Sequence, residues 1–174
     1  MRGWTHAGLV EAAAKWLARA HSVVATEVCA DVGEVPDALG WRGWRSTLVE
    51  CKASREDFAA DRRKLFREHP QLGVGCARYY LAPRGLLSLA ELPPRWGLLE
   101  ADGRGVRVAK ASGWFGERNE RAEVRILVSA LRRAGTGAPG VSVKMYSTQT
   151  KCRATLGTDG GFDMAPWEAL EWHI

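Results

Sequence analysis

PDALGWRGWRSTLVECKAS, residues 36–54, decides how this chain is read. Pro36 suits a strand entry or edge, because it cannot donate a ladder hydrogen bond. Arg42-Gly43-Trp44-Arg45 reads as a turn, and Ser46–Ala53 as the most apolar strand of the chain. Side chains alternate along a strand, so Glu50 and Lys52 share one face while Val49 and Cys51 share the other. A hairpin centred near Gly43 returns the chain so that Asp37 lies roughly opposite Glu50. Three charged groups then converge at one end of a sheet. An exposed cross-strand ion pair is worth only about 0–1 kcal/mol, and it explains poorly why the apolar run Thr47-Leu48-Val49 leads straight into both charges. Phosphodiester hydrolysis accounts for the set better. Two carboxylates hold a hard cation such as Mg²⁺ through oxygen. The cation lowers the pKa of its water, and a lysine orients that water or stabilises the transition state. Glu27, on a preceding strand, offers a further carboxylate.

Reading outward, Thr5 caps a helix through about Ala20. Leu9, Ala13, Trp16, Leu17 and Ala20 share its apolar face with His6, and Glu11 lies opposite. The pattern in 22–30 predicts a strand, and that in Val35–Trp41 a second, poorer one. After the apolar strand, Ser54 with Asp57 three residues on makes an acidic capping box. It opens a helix over SREDFAADRRKLFREH with Phe58, Leu65 and Phe66 as its buried stripe. Residues 76–82 form a fourth strand, with one of Tyr79 and Tyr80 in the core. Residues 96–101 and 105–111 form a hairpin around Asp102-Gly103. A long helix runs from about Glu117 to Ala134, closed by Gly135. Residues 141–157 read as another short hairpin, and the tail as an appendage with a turn at Asp159–Asp163. This order argues for a mixed α/β fold, a central sheet flanked by helices. The division is a domain over 1–135 and an appendage over 136–174.

The 174 residues suffice for one core without disulfides or structural metal. With 46% hydrophobic and 26% charged residues the chain has an ordinary globular composition. A formal charge of +5 favours polyanionic partners. Cys29, Cys51, Cys76 and Cys152 stand too far apart for a zinc or redox motif. Scattered thiols fit a reducing, cytoplasmic setting, and no stretch reaches the roughly 18 apolar residues of a membrane span.

Pro36-Asp37 followed by Glu50-Cys51-Lys52 resembles the signature of the PD-(D/E)xK nuclease superfamily. The predicted element order is similar to that superfamily's restriction-endonuclease-like α-β-β-β-α-β core. The stretch CKASREDFAADRRK looks like the MmcB-like branch associated with DNA repair, and the gap from Asp37 to Glu50 resembles archaeal-type Holliday junction resolvases. The resemblance implies an Mg²⁺-dependent DNA endonuclease in repair, recombination or phage DNA processing, with Mn²⁺ substituting. It implies Asp37 and Glu50 as metal ligands, the Cys51 backbone carbonyl as a third, and Lys52 as the catalytic lysine. The family's extra acid falls to Glu27 or Glu11, with Glu27 preferred because Glu11 lies on the outer helix face. Resolvase-like members act as homodimers. A catalytically silent DNA-binding or nuclease-accessory module with the same fold is the alternative.

Arg55, Arg63, Lys64 and Arg67 are the candidate phosphate contacts. Arg55 leads them, because it stands in the first helical turn beside Lys52. A solvated face with Glu56 and Glu68 interleaved is the competing reading. Asp57 reads as a cap rather than a ligand. Trp44, beside Trp41, either packs or stacks on unpaired bases. His6 reads as a half-buried histidine, with a catalytic role second.

Overall fold

The computed structural model describes residues 4–28 and 35–135, together with the backbone of 141–143. Helix α1 (His6–Leu17) starts where the Thr5 hydroxyl accepts a hydrogen bond from the Gly8 amide. It buries Leu9, Val10, Ala13 and Leu17, and it ends one turn earlier than the sequence pattern predicts. His6 is not half-buried on the core face: it stands at the exposed start of the helix, beside Asp37.

Three antiparallel strands follow, β1 (Val23–Thr26), β2 (Ala38–Arg42) and β3 (Arg45–Cys51). The tight turn between β2 and β3 rests on Gly43, whose φ of +57° is one an L side chain rarely adopts. Strand β1 is shorter than expected, because Glu27 turns out of the sheet at φ +50°. Strand β4 (Ala77–Pro83) pairs parallel with β3, and β5 (Gly97–Asp102) parallel with β4. The hairpin closes antiparallel through β6 (Gly105–Lys110). After α4 (Glu120–Gly135), strand β7 (Val141–Val143) pairs antiparallel with β1. The seven-stranded sheet has the order β6-β5-β4-β3-β2-β1-β7. The chain is a mixed α/β fold whose element order begins α-β-β-β-α, as expected. The rest of the expected 141–157 hairpin, the 158–174 tail with Asp159 and Asp163, and Cys29 and Cys152 lie outside the described residues.

Alternation along the strands divides the core between the two faces. One face carries Val24, Ala38, Val49, Cys51, Leu81 and Leu99 against α1. The other carries Leu39, Leu48, Tyr80, Trp96 and Leu98, with Phe58, Phe115 and Ile126 packed on them. Each Val, Leu, Ile or Phe among them removed from water contributes about 1.5–3 kcal/mol. Both cores depend on the same pleat, so Glu50 and Tyr80, register partners on β3 and β4, are fully buried on the second face.

The single helix expected over SREDFAADRRKLFREH is broken in two. Helix α2 (Arg55–Asp61) is capped by the Ser54 hydroxyl, which accepts from the Asp57 amide. The Asp57 carboxylate accepts from the Ala53 amide at 3.4 Å, which supports its reading as a cap. Lys64 is extended, and a short α3 (Leu65–Glu68) follows. Leu65 consequently stands exposed instead of joining Phe58 in a stripe. The break has a geometric reason. Arg67 makes two hydrogen bonds to Asp61, six residues earlier, and in a continuous helix positions six apart point about 120° away from each other.

Close packing of strand β5 on β4 supplies a test. A Cβ on Gly97 would lie 2.4 Å from the Tyr79 ring and 2.8 Å from the Lys110 carbonyl oxygen, whereas one on Gly103 meets nothing within 4 Å. Gly97→Ala is expected to lower unfolding free energy by about 1–3 kcal/mol. Gly103→Ala should stay within about 0.5 kcal/mol of the parent. Urea unfolding of both variants measures the difference.

Candidate active site

Asp37, Glu50 and Lys52 meet at the end of the sheet where β2 begins and β3 finishes. Ala38 pairs with Val49 across the hairpin, which continues to place Asp37 beside Glu50. One Asp37 oxygen accepts from the Cys51 amide at 2.7 Å, and the other stands 3.4 Å from His6 Nε2. This end of the sheet is also the carboxyl end of the parallel strands β3 and β4, the side where open α/β sheets bind ligands.

Glu50 and Lys52 are 1% and 3% exposed. Lys52 Nζ lies 3.2 Å from Glu50 Oε2 and 3.3 Å from Asp61 Oδ1. Asp61, the last residue of α2, is the member of the cluster that sequence reasoning missed. It accepts from Arg67 at 2.7 and 3.0 Å and from the Tyr80 hydroxyl at 2.7 Å, and Lys64 Nζ stands 2.9 Å away. The Arg67 guanidinium also lies 4.6 Å from the centre of the Trp96 ring. No motif marks Asp61. The available signal was an acid at the end of a capped helix, followed within six residues by four cations, Arg62, Arg63, Lys64 and Arg67.

The geometry divides the two buried carboxylates. Burial pushes Asp61 up, but Arg67, Lys52 and Lys64 more than offset it and hold the group below the ordinary carboxylate range. Glu50 meets its cations through Oε2 alone, and Lys52 is the nearest of them. Arg67 and Lys64 stand 3.5 and 3.7 Å from the same Oε2, and Oε1 is buried with no hydrogen-bond partner. Burial therefore dominates and raises Glu50 to about 7, against the pull of Arg67 and Lys52. Burial likewise pulls the Lys52 ammonium down, but Glu50 and Asp61 outweigh it, so its pKa lies above the ordinary value.

Oxygen donors of this kind fit a hard divalent cation, and the orphaned Glu50 Oε1 is the observation that favours one. Asp37 and Glu50 would hold it, together with the Cys51 carbonyl that the resemblance adds. Among the described residues, no group of three or more His, Cys, Asp or Glu is arranged to hold a metal ion. Glu27 projects into solvent, and its amide donates to the Asp37 carbonyl oxygen. Glu11 is exposed and paired with Lys15. Neither acid is brought to the cluster.

The expected phosphate contacts separate. Arg67 is a correction: its side chain is 2% exposed and locked on Asp61, so it belongs to the buried cluster and not to a surface that DNA touches. Lys64 spans both settings, bonded inward to Asp61 and half exposed. Arg63 is exposed. Arg55 is exposed but engaged by Glu91 through two hydrogen bonds and by the Leu86 carbonyl. Trp44 stands in solvent at the far end of β3.

Removing Asp61 leaves Arg67 buried without its main counter-charge and Lys52 with Glu50 alone. Asp61→Asn is expected to cost about 3–5 kcal/mol of unfolding free energy. The Glu50 effect has a pH signature. Its folded pKa lies above the ordinary value of 4.5, so its stabilising contribution is complete below that value and is lost as pH rises toward about 7. Metal-free protein should therefore lose on the order of 3 kcal/mol across that window, and Glu50→Gln should flatten the decline. Asp61 acts with the opposite sign, losing its contribution as pH falls below its ordinary value of 3.8. Urea unfolding in EDTA across this pH range measures both limbs.

Among solved structures, the chain is similar to a protein of unknown function from Silicibacter pomeroyi, with a TM-score of 0.59 and 23% identity over 78% of this chain and 90% of that one. At that identity the likeness shows the fold alone. No family model and no curated protein matches the chain.

Proposed function

We propose that this chain is an Mg²⁺-dependent DNA endonuclease of PD-(D/E)xK type, hydrolysing phosphodiester bonds in repair, recombination or phage DNA processing. The observation that carries the reading is the buried, unpartnered Glu50 Oε1 in a cluster with Asp37 and Lys52, at the spacing that the signature demands. A bare carboxylate oxygen inside a protein costs about 1–3 kcal/mol unless something satisfies it. A hard cation held by Asp37 and Glu50 would satisfy it in place of the proton that burial favours.

When bound, the cation supplies Lewis acidity toward a phosphoryl oxygen and acidifies a water. The chain's own residues do the rest. The Cys51 amide and Ala38–Val49 pairing hold the Asp37 carboxylate in place. Glu50 and Asp61 position the Lys52 ammonium and keep it charged, so that it offers a fixed positive group to the charge that develops on phosphorus oxygens. Lys64, half exposed above Asp61, extends that positive field to the surface, where a DNA phosphate approaches. Dimer formation in the manner of resolvases belongs to this proposal as well.

A second reading has its own support. Lys52 is already bonded to both Glu50 and Asp61, and three cations share the two buried carboxylates. Such a closed ion cage suits a nuclease-accessory or DNA-binding module that retains the fold without cutting.

A panel of labelled branched, nicked, duplex and single-stranded DNAs with Mg²⁺ or Mn²⁺ separates the two. The nuclease reading expects cutting of at least one substrate, stopped by EDTA, and a loss on the order of 10³-fold in Lys52→Ala and Glu50→Ala. Undiminished cutting by Lys52→Ala overturns the assigned role. Salt-dependent binding with no cutting on any substrate establishes the silent module.

A further inference from the structure

At the opposite end of β3 from the buried cluster, two tryptophans stand in water. Trp44, at the β2–β3 turn, is 56% exposed, and Trp114, in the segment before α4, is 47% exposed. Their rings meet edge to face with centroids 5.6 Å apart. The Arg45 guanidinium lies 5.2 Å from the centre of the first ring and 5.7 Å from that of the second. Arg42 stands across the hairpin from Arg45. The turn Trp41–Ser46 contains no acid; Glu117 follows three residues after Trp114, and Glu120 is paired with Arg118.

The backbone beneath this pair is tied down while the rings stay about half exposed. The Trp44 carbonyl accepts from Arg118 at 3.4 Å, and the buried Glu123 accepts from Arg118 at 3.1 Å. Glu123 also accepts from Ser46 and the Gly75 amide, which fixes the start of α4 to the start of β3. The Trp114 carbonyl accepts from Arg95 at 3.2 Å, and Phe115, next along the chain, is buried against Trp96. Two large indoles are thus held on a rigid base, displayed together with arginine. A rigidly held, half-exposed indole pair fits a planar aromatic partner, and Arg42 and Arg45 beside it favour one that carries negative charge.

We propose that Trp44, Arg45 and Trp114 form a stacking platform for unpaired nucleobases, so that this chain binds a single-stranded segment of nucleic acid there. Stacking on an indole needs a base with a free π-face, which paired bases inside a duplex do not offer. Arg42, exposed across the hairpin, meets the phosphates that accompany such bases, while Arg45 stays against the two rings. The platform lies five residues along β3 from Glu50, about 17 Å at a strand's rise, so it grips a strand away from the cluster. The inference rests on the proposed function only in taking DNA as the partner, and it narrows the substrate class to DNA with an unpaired stretch.

Binding of a labelled oligo(dT) strand of about 15 nucleotides, followed by fluorescence anisotropy in EDTA, tests it apart from any cutting. Trp44→Ala and Trp114→Ala should each weaken binding by about 5- to 100-fold. Trp44→Phe should retain binding within about threefold of the parent. Affinity for a blunt duplex of equal length should change less than about twofold in all three. Arg42→Gln, a change to an exposed side chain, should weaken oligo(dT) binding and lower its salt dependence by about one phosphate contact. Unaltered oligo(dT) affinity in the double alanine variant overturns the platform. So does an equal loss on strand and duplex, or a change in sedimentation with strand binding intact, which would make the pair a protein contact. Platform-dependent binding without Mg²⁺-dependent cutting sinks the nuclease reading and leaves the platform standing. Cutting with binding indifferent to both tryptophans does the reverse.

Discussion

The Asp61 carboxylate is the point on which the candidate site depends. It gathers Arg67, Lys64, Lys52 and the Tyr80 hydroxyl at hydrogen-bonding or ion-pairing distance, all at the junction of α2 with the sheet. Burying so many charges is unfavourable unless each finds its partner. Asp61 provides those partners through both of its oxygens, whereas Glu50 shares the same three cations through Oε2 alone. Glu50 is left with a bare oxygen and a raised pKa, while Asp61 remains ionised. Two carboxylates in one cluster thus acquire opposite tendencies from their hydrogen bonds, the separation that acid–base and metal sites exploit.

The same interaction shapes the backbone. Arg67 reaches Asp61 only because the helix breaks between them, and the extended Lys64 marks that break. Local propensity alone favours continuation, since Arg, Lys, Leu and Glu are all good helix formers. Two charge-assisted bonds and a ring contact with Trp96 favour the break. Leu65 becomes exposed as a result. The Phe58–Tyr80–Trp96–Phe115 aromatic series then fills the space beneath the cluster and carries packing from α2 toward the segment that holds Trp114.

Much of the fold was legible because its signals are local. Thr5 and Ser54 act as the N-caps their side chains predict, Gly43 supplies the turn, and alternation in Ser46–Cys51 sorts Val49 and Cys51 from Leu48 and Glu50. Asp37 meets Glu50 for the same reason, since hairpin register is set by the turn between the strands. The placement of Arg67, Tyr80 and Trp114 was not legible in this way. Each is decided by contacts with residues far along the chain or across a break, where periodicity carries no information.

The sequence by itself therefore determined a mixed α/β order, a hairpin that brings Asp37 to Glu50, and a pleat that places Lys52 beside them. Those outcomes follow from turn chemistry and the two-residue period of a strand, which act over a few residues. Only the tertiary structure decided that Asp61 joins Glu50 in holding the cations, that Arg67 lies inside and not on the surface, and that Glu27 faces water. Those outcomes depend on burial, because a charge removed from water takes the best partner within reach in space, whatever its distance along the chain.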